Sequence, residues 1–356
     1  MKTISLFSGC GGLDLGLKKS GFELVWANEI NEQFANIYKY NILDDVSISD
    51  IRDIDEKTIP ACDVVAAGFP CQSFSSAGKR LGVKDERGNL FFECLRVIKE
   101  KQPIVVILEN VRGILSIKNT DGSLFVNTII KSLENLDPGY AVNYKLLRAS
   151  DYGVPQNRFR VIFIGIRKDF NISYRFPPIT HNGNEKELTV ASVINVPPNT
   201  PNQDEHWELS PQYKQMIPLI KEGGSWKDIP YDLLPDRFKK IRDNMKKYKS
   251  PNFYRRFART EINGTITAAA TPENCGIIHP LENRRYTVRE IARFQSFPDD
   301  FIFVGSSISM KYQAIGNAVP PKLAEAIGKS VMNSLNGNDN EEHIKHGIYP
   351  KQLSLL

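Results

Sequence analysis

The stretch Ile4-Ser5-Leu6-Phe7-Ser8-Gly9-Cys10-Gly11-Gly12 decides the fold class of this chain. Its apolar start is typical of a buried strand, and its glycines allow the backbone to turn sharply into a helix. Further apolar runs alternate with helical patterns over the first half of the chain. The candidate strands cover residues 4–7, 24–27, 63–67, 104–108 and 161–166. Because continuous apolar runs separated by helices are typical of buried parallel strands, the sequence predicts a doubly wound α/β domain in which these strands are parallel.

The pattern changes near residues 175–178, and from there to about residue 283 the chain is rich in Pro, Asn and charge with weak periodicity. This indicates a smaller second domain of irregular structure. Helical patterns return at residues 287–294 and 320–335. The predicted organisation is an α/β domain over 1–178, a second domain over 179–283, a hinge segment over 284–307, a C-terminal helix over 308–335 that returns to the first domain, and a disordered tail over 336–356.

The composition is that of a soluble globular protein, with 356 residues, 41% of them hydrophobic and 24% charged. A net charge of +5 is too small to indicate a nucleic-acid partner by itself. No apolar run approaches the roughly 18 residues that cross a bilayer, and no export signal is evident, so we expect a cytoplasmic protein without a membrane partner. The five cysteines are scattered and form no Cys-x-x-Cys pair, so we expect reduced thiols and no metal site.

The glycine-rich turn and an acid beyond it indicate a cofactor site. Glu29 lies twenty positions after Gly9, just past the second candidate strand. An acid at this spacing suits hydrogen bonds to the ribose hydroxyls of an adenosine-type cofactor. The glycines do not form G-x-G-x-x-G, so a nicotinamide cofactor is not well supported. The alternative is a tight turn with an unrelated surface Glu.

Two further strands run into reactive groups. Residues 63–67 lead to Cys71, and residues 104–108 lead to Glu109. Because the carboxyl ends of parallel strands share one edge of the sheet, we expect both groups to lie near the glycine turn. A thiol at an exposed bend after Pro70 can act as a nucleophile. The alternatives are a core thiol and a carboxylate in a strand-end ion pair.

Six segments form an ordered set along the chain. They are Phe7-Ser8-Gly9-Cys10-Gly11-Gly12, Gly68-Phe69-Pro70-Cys71-Gln72, Glu109-Asn110-Val111, Gln156-Asn157-Arg158-Phe159-Arg160, Arg285-Tyr286-Thr287-Val288-Arg289-Glu290 and Gly316-Asn317-Ala318-Val319-Pro320. In this order they resemble the motifs of the DNA (cytosine-5) methyltransferases of bacterial restriction–modification systems. The resemblance implies a Rossmann-like methyltransferase domain that depends on S-adenosylmethionine, and a target-recognition domain over 179–283.

The resemblance also implies a catalytic cycle. Cys71 would attack carbon 6 of a cytosine, which makes carbon 5 reactive toward a methyl donor. Glu109 would hydrogen-bond the amino group and ring nitrogen 3, Arg160 would reach the carbonyl oxygen, and Arg158 would help hold the site. Because this chemistry cannot occur inside a stacked duplex, the target cytosine must flip out of the helix. The loop from Cys71 to Leu90 would close over the flipped base.

For the cofactor, the resemblance places Phe7 against the adenine, Glu29 at the ribose and Asp50 at the adenine amine, although Asp53 offers a second acid nearby. The product would be S-adenosylhomocysteine, and no metal is implied. The residues expected to bind S-adenosylmethionine are Phe7, Gly9, Gly11, Gly12, Glu29, Ile30, Asp50, Ile51, Pro70, Leu90, Asn317 and Ala318.

Positive charge is concentrated within the predicted target-recognition domain. Residues 237–259 contain ten basic residues and one acid, a local charge of +9. Clustered charge is what binding to DNA phosphates needs, and the alternative is an ordinary solvated helix face. The resemblance points to duplex DNA as the partner. The residues expected to contact DNA are Gln72, Ser75, Arg255, Arg256 and Thr267.

The sequence leaves three other functions open. A branch of the same family methylates tRNA, although the basic segment between 179 and 283 favours DNA. A nucleic-acid-binding protein without activity and a nucleotide-dependent oxidoreductase are disfavoured by the intact motifs and by the glycine spacing. We expect a monomer that associates with the bacterial nucleoid when bound to DNA, with a cognate restriction endonuclease as a candidate partner.

Overall fold

The computed structural model describes residues 1–70, 90–183, 185–244, 252–305 and 307–337. Within these residues a mixed sheet of seven strands has the order β3-β2-β1-β4-β5-β7-β6. The strands are β1 (Lys2–Leu6), β2 (Glu23–Asn28), β3 (Val46–Ser47), β4 (Val64–Ala67), β5 (Val105–Val111), β6 (Tyr140–Arg148) and β7 (Phe159–Arg167). The central strands are buried on both faces, which explains their continuous apolar runs. The predicted α/β fold is confirmed.

The prediction that the last strand is parallel is wrong. Strands β1 to β5 are parallel, but β7 runs antiparallel to both β5 and β6. The connection between β6 and β7 holds only a short 3-10 turn (Ala149–Tyr152), which is too short for the crossover that a parallel pair needs. Strands β3 and β6 carry no clear apolar run in the sequence, because β3 has two residues and β6 is a half-exposed edge strand.

Four helices cover the sheet: α1 (Gly12–Lys19), α2 (Glu32–Asn41), α3 (Leu90–Lys101) and α4 (Phe125–Glu134). The helix predicted after the glycine turn is α1. It packs closely on the C-terminal helix, because a Cβ on Gly16 would lie 2.4 Å from the Cβ of Ala324 and 2.4 Å from the carbonyl oxygen of Pro321. The first and last helices of the described chain are therefore neighbours.

The region after the sheet is irregular, as its composition indicated. It contains three short helices, α5 (Val190–Ile194), α6 (Pro211–Met216) and α7 (Asp236–Asp243), joined by 3-10 turns. A separate apolar core holds it together, in which the Trp226 ring packs edge-on against Phe238 and Phe253. This region thus has an apolar cluster of its own.

Three helices complete the described chain: α8 (Val288–Phe294), α9 (Ile308–Asn317) and α10 (Pro321–Leu335). Thr287 and Glu290 form a capping box that begins α8. The sequence predicted one helix over 308–335, but the structure divides this stretch at Ala318-Val319-Pro320, where the backbone is extended at Pro320. Of the predicted tail, residues 338–356 lie outside the described part. No helix in the described ranges is long and apolar enough to cross a bilayer.

Candidate active site

The glycine turn after β1 adopts a conformation that its sequence makes possible. Phe7, Gly9 and Gly11 all have positive φ, at 54°, 57° and 91°. A Cβ on Gly11 would lie 2.0 Å from the Cδ1 atom of Ile42, so only glycine fits there. A Cβ on Gly12 would lie 2.3 Å from the carbonyl oxygen of Val319. The turn is therefore packed tightly between α2 and the segment that precedes α10.

Glu29 holds this turn directly. Its Oε2 atom accepts a hydrogen bond of 2.8 Å from the backbone N–H of Gly9, and its Oε1 atom accepts one of 2.8 Å from the N–H of Asn31. Burial raises the pKa of the Glu29 carboxyl, and these backbone bonds partly offset the shift. The alternative of an unrelated surface Glu is wrong, because Glu29 is 8% exposed and bonded to the turn.

Other residues predicted for the cofactor flank this turn or lie near it in sequence. Ile30 is 64% exposed beside Glu29, which suits an apolar side chain that contacts a ligand. Asp50 caps the 3-10 turn Ile51–Asp53 and forms an ion pair of 2.6 Å with Arg52, which holds the pKa of its carboxyl below the usual range. Ile51 is buried and packs in the core instead.

The C-terminal motif approaches the turn from the other side. Asn317 ends α9 and is exposed, and a Cβ on Gly12 would lie 3.0 Å from the Cβ of Ala318. Leu90 begins α3 and Pro70 ends the described chain before it, and both are partly buried. The structure thus brings the predicted glycine, acid and C-terminal groups together at one edge of the sheet.

A buried ion pair lies at the same edge. The Oε1 atom of Glu109, near the end of β5, is 2.6 Å from the Nε atom of Arg160, near the start of β7. The antiparallel direction of β7 brings the two groups together, because the start of β7 lies beside the end of β5. Burial raises the pKa of the Glu109 carboxyl, while the positive charges of Arg160 and Arg158 lower it.

The strand end that leads to the predicted nucleophile is anchored beside this pair. The side chain of Asn110 donates a hydrogen bond of 3.0 Å to the carbonyl oxygen of Phe69. A Cβ on Gly68 would lie 3.3 Å from the Oε2 atom of Glu109, so the two strand ends are in close approach. Cys71 is the next residue after this segment, but Cys71, Gln72 and Ser75 lie outside the described residues.

The four described cysteines are poor nucleophiles. Cys10, Cys94 and Cys275 are buried, and Cys62 is partly buried. Burial raises the pKa values of the Cys10 and Cys62 thiols to about 12, which leaves them protonated at neutral pH. These four thiols serve packing.

The partners of Arg158 differ from those of Arg160. Its guanidinium is fully buried and donates to the carbonyl oxygens of Ile266 (2.8 Å), Gly316 (2.7 Å) and Ala318 (3.1 Å). It therefore joins the segment before β7 to the segment around Ile266 and to the C-terminal motif. This agrees with an expected role in holding the site.

The three described residues that were predicted to contact DNA lie in three different environments. Arg255 is partly exposed, pairs with Glu261 at 2.6 Å and lies over the Phe257 ring. Thr267 is partly exposed, and its hydroxyl donates to the side chain of Asn274. Arg256 is only 4% exposed, and its guanidinium donates to four backbone carbonyls and one side-chain oxygen. Arg256 thus stabilises the second domain from inside, and we do not include it in the proposed DNA surface.

Gln295 is a residue that the sequence analysis missed. It is fully buried at the end of α8 and hydrogen-bonds the side chain of Gln156. Its signal was a polar side chain directly after a helix whose other residues are mostly apolar. No group of three or more candidate metal ligands occurs among the described residues.

The chain is similar in sequence to type II methyltransferases from two bacteria. The chain is 40% identical over 339 residues to the type II methyltransferase M.NgoFVII of Neisseria gonorrhoeae, covering 93% of this chain and 86% of that protein. It is 36% identical to the type II methyltransferase M.FnuDI of Fusobacterium nucleatum, covering 99% of each.

The fold has counterparts among solved structures. A crystal structure of a putative DNA modification methyltransferase encoded within a prophage (E. coli) superposes with a TM-score of 0.67 at 24% identity, covering 94% of this chain and 99% of that one. A crystal structure of the S. pombe Dnmt2 methyltransferase gives a TM-score of 0.61 at 17% identity, covering 96% and 100%. The family model of the C-5 cytosine-specific DNA methylases matches residues 1–333. The chain therefore belongs to the family of C-5 cytosine-specific DNA methylases, and the enzyme class that the sequence predicted is confirmed.

Proposed function

We propose that this enzyme methylates carbon 5 of a cytosine within a specific sequence of duplex DNA, through a flipped base and a covalent bond to Cys71. The observation that carries the proposal is the buried pair of Glu109 and Arg160 at the sheet edge. This pair lies beside the anchored strand end that leads to Cys71 and shares its edge with the turn that Glu29 holds.

The residues present fit S-adenosylmethionine, which supplies the methyl group. Glu29 keeps acceptor capacity beyond its two backbone bonds, so it can accept from ribose hydroxyls. Phe7 has positive φ and is partly exposed, and Ile30 is exposed, so these side chains are available to an adenine ring. The exposed Asn317 is available to the methionine end of the cofactor.

Glu109 and Arg160 would prepare the base for attack. Burial raises the pKa of Glu109 while the charges of Arg160 and Arg158 lower it, and its carboxyl would bond the amino group and ring nitrogen 3 of the base. Arg160, whose charge is already paired, would reach the carbonyl oxygen of the base. Both contacts would stabilise the ring as the thiolate of Cys71 adds to carbon 6. Once carbon 5 has taken the methyl group, loss of its proton and departure of the sulfur would release the methylated base and restore the Cys71 thiolate.

The proposed substrate is duplex DNA, supported by the relatives named as type II methyltransferases and by the basic segment of the second domain. Helix α7 exposes Arg237 and Lys240 while Phe238 and Ile241 are buried. We also propose that the enzyme acts as a monomer in the bacterial cytoplasm, together with a restriction endonuclease that cuts the same site. Bisulfite sequencing of DNA from cells that express the chain would locate that site.

The test compares Cys71→Ser with the wild type, using radiolabelled S-adenosylmethionine with duplex DNA or with tRNA. We expect label in DNA for the wild type, none for Cys71→Ser, and near-normal DNA binding by both. Cys62→Ser serves as the matched control, because Cys62 lies at the other end of β4, away from the site. Methylation by Cys71→Ser at the wild-type rate would contradict the covalent mechanism, and label in tRNA alone would contradict the DNA substrate.

A further inference from the structure

Gln295 is a buried polar side chain for which the proposed chemistry has no use. Its Nε2 atom donates to the carbonyl oxygens of Ile315 (2.7 Å) and Ala318 (3.2 Å). Its Oε1 atom accepts a hydrogen bond of 2.9 Å from Gln156. The amide of Gln295 is therefore satisfied on both ends, which fixes its position.

These contacts belong to a closed ring of hydrogen bonds. Gln156 accepts a bond of 2.8 Å from the backbone N–H of Ile266. Arg158 donates to the carbonyl oxygen of the same Ile266 (2.8 Å) and to that of Ala318 (3.1 Å). Going round, the ring joins Ile266, Gln156, Gln295, Ala318 and Arg158. The three side chains in the ring, those of Gln156, Gln295 and Arg158, are all fully buried.

The ring lies between the proposed cofactor site and the segment proposed to face DNA. On one side, Ala318 packs against Gly12 of the glycine turn (residues 7–12), which is part of the proposed cofactor site and is called the cofactor turn below. On the other side, Ile266 directly precedes Thr267, which lies on the segment proposed to face DNA. This segment also presses on the C-terminal motif, because a Cβ on Gly316 would lie 2.4 Å from the carbonyl oxygen of Thr267.

We propose that Gln295 is a positioning residue for methyl transfer, which aligns the DNA-facing segment with the cofactor turn through this ring. The inference rests on the proposed function and deepens it. Gln295 touches neither proposed substrate, so its removal would shift their relative placement more than the affinity for either. A misplacement of about 1 Å between reacting groups can slow a reaction about a hundredfold.

The test is Gln295→Leu, which has a similar volume but none of the hydrogen bonds. Single-turnover methylation is measured at saturating S-adenosylmethionine, on a duplex that carries the site located by bisulfite sequencing. We expect a rate constant about tenfold lower or more, while the Kd values for that duplex and for S-adenosylhomocysteine change less than about threefold. The amplitude of the turnover reports the fraction of folded enzyme, and the rate constant reports alignment.

Two further variants separate positioning from stability. Arg289→Met removes a buried side chain of the same helix that donates to carbonyls outside the ring, those of Pro201, Pro298 and Phe301. It should lower Tm but keep the rate constant within about twofold of the wild type. Gln156→Leu opens the same ring, so adding it to Gln295→Leu should slow the reaction by less than about twofold further.

The possible outcomes are distinct. A wild-type rate constant in Gln295→Leu, with only a lower Tm or amplitude, would overturn the inference, as would equal slowing by Arg289→Met. Multiplicative slowing in the double variant would show that the two glutamines act separately and would also overturn it. A wild-type chain that transfers no methyl group would overturn the proposed function, and this inference with it.

Discussion

Glu29 and Glu109 are two buried carboxylates at one sheet edge whose surroundings give them different capacities. Glu29 accepts hydrogen bonds from two backbone N–H groups, which favour its charged form. Glu109 faces the guanidinium of Arg160 at 2.6 Å, and the charges of Arg160 and Arg158 oppose the rise of its pKa on burial. We propose that Glu29 binds the cofactor and that Glu109 acts on the base.

Glu109→Gln should lower kcat by about a hundredfold or more, because an amide cannot supply the proton that the base nitrogen needs. Steady-state methylation at saturating substrates measures kcat, and the single-turnover rate constant isolates the chemical step. Glu100→Gln, on the exposed side of α3, is the control and should be neutral. An unchanged kcat in Glu109→Gln would remove this residue from the proposed mechanism.

Asp14 lies fully buried in the first turn of α1, directly after the glycine turn. Burial raises the pKa of its carboxyl from 3.8 to about 6. The folded protein therefore binds this proton more tightly than the unfolded chain does. The stabilisation is present below about pH 4 and is lost as the pH rises through about 6. The free energy of unfolding of Asp14→Asn, relative to that of the wild type, should therefore rise by roughly 2–3 kcal/mol between pH 4 and pH 7.

Urea unfolding of both proteins at pH 4 and pH 7 measures this difference. Asp121→Asn, at an exposed carboxyl whose pKa is lowered, should show no such gain. A difference between Asp14→Asn and the wild type that does not vary with pH would contradict the prediction.

At the scale of elements, the apolar runs predicted where strands occur but not their direction. A run such as 161–166 has the same composition whether β7 is parallel or antiparallel, and the length of the β6–β7 connection decides between them. The strand-end position of Glu109 could be inferred from parallel topology alone. The pairing of Glu109 with Arg160 could not, since it depends on the reversed β7.

Side-chain burial was equally hard to infer from charge. Arg255 and Arg256 are adjacent in sequence, yet one is partly exposed and the other is inside the second domain. The irregular backbone there has no period that assigns residues to faces. For the same reason the sequence could not show that Gln156 and Gln295 meet across 139 residues.

Gly16→Ala should destabilise the protein by about 1–3 kcal/mol, because the added methyl would lie 2.4 Å from Ala324 and from the Pro321 backbone. This cost opposes the gain of up to about 1 kcal/mol that alanine brings to a helix interior. Gly113→Ala is the control, since its methyl would meet nothing closer than 3.9 Å. Thermal unfolding measures both, and a Tm of Gly16→Ala at or above the wild-type value would refute the close α1–α10 contact.

At the scale of the molecule, charge is distributed unevenly. Residues 237–259 carry +9 while the whole chain carries +5, so the remainder sums to −4. Within this segment Arg237 and Lys240 are exposed, whereas Arg256 is buried. Because exposed cations attract a polyanion, we propose that helix α7 faces DNA.

Replacing Arg237 and Lys240 together by Gln should weaken DNA binding and reduce the slope of log K against log salt by up to about 1.8. Both side chains are on the exposed face of α7, so folding should not change. Replacing Lys19 and Lys99 by Gln removes the same charge elsewhere and is the control. Equal slopes for both double variants would argue against α7 as a phosphate-binding surface.

The contact of α10 with α1, and of Val319 with Gly12, also sets when the enzyme can first work during protein synthesis. The turn that begins at residue 7 gains its contacts with Ala318 and Val319 only after these residues have left the ribosome. Nascent or prematurely terminated chains would carry the early motifs without a completed pocket.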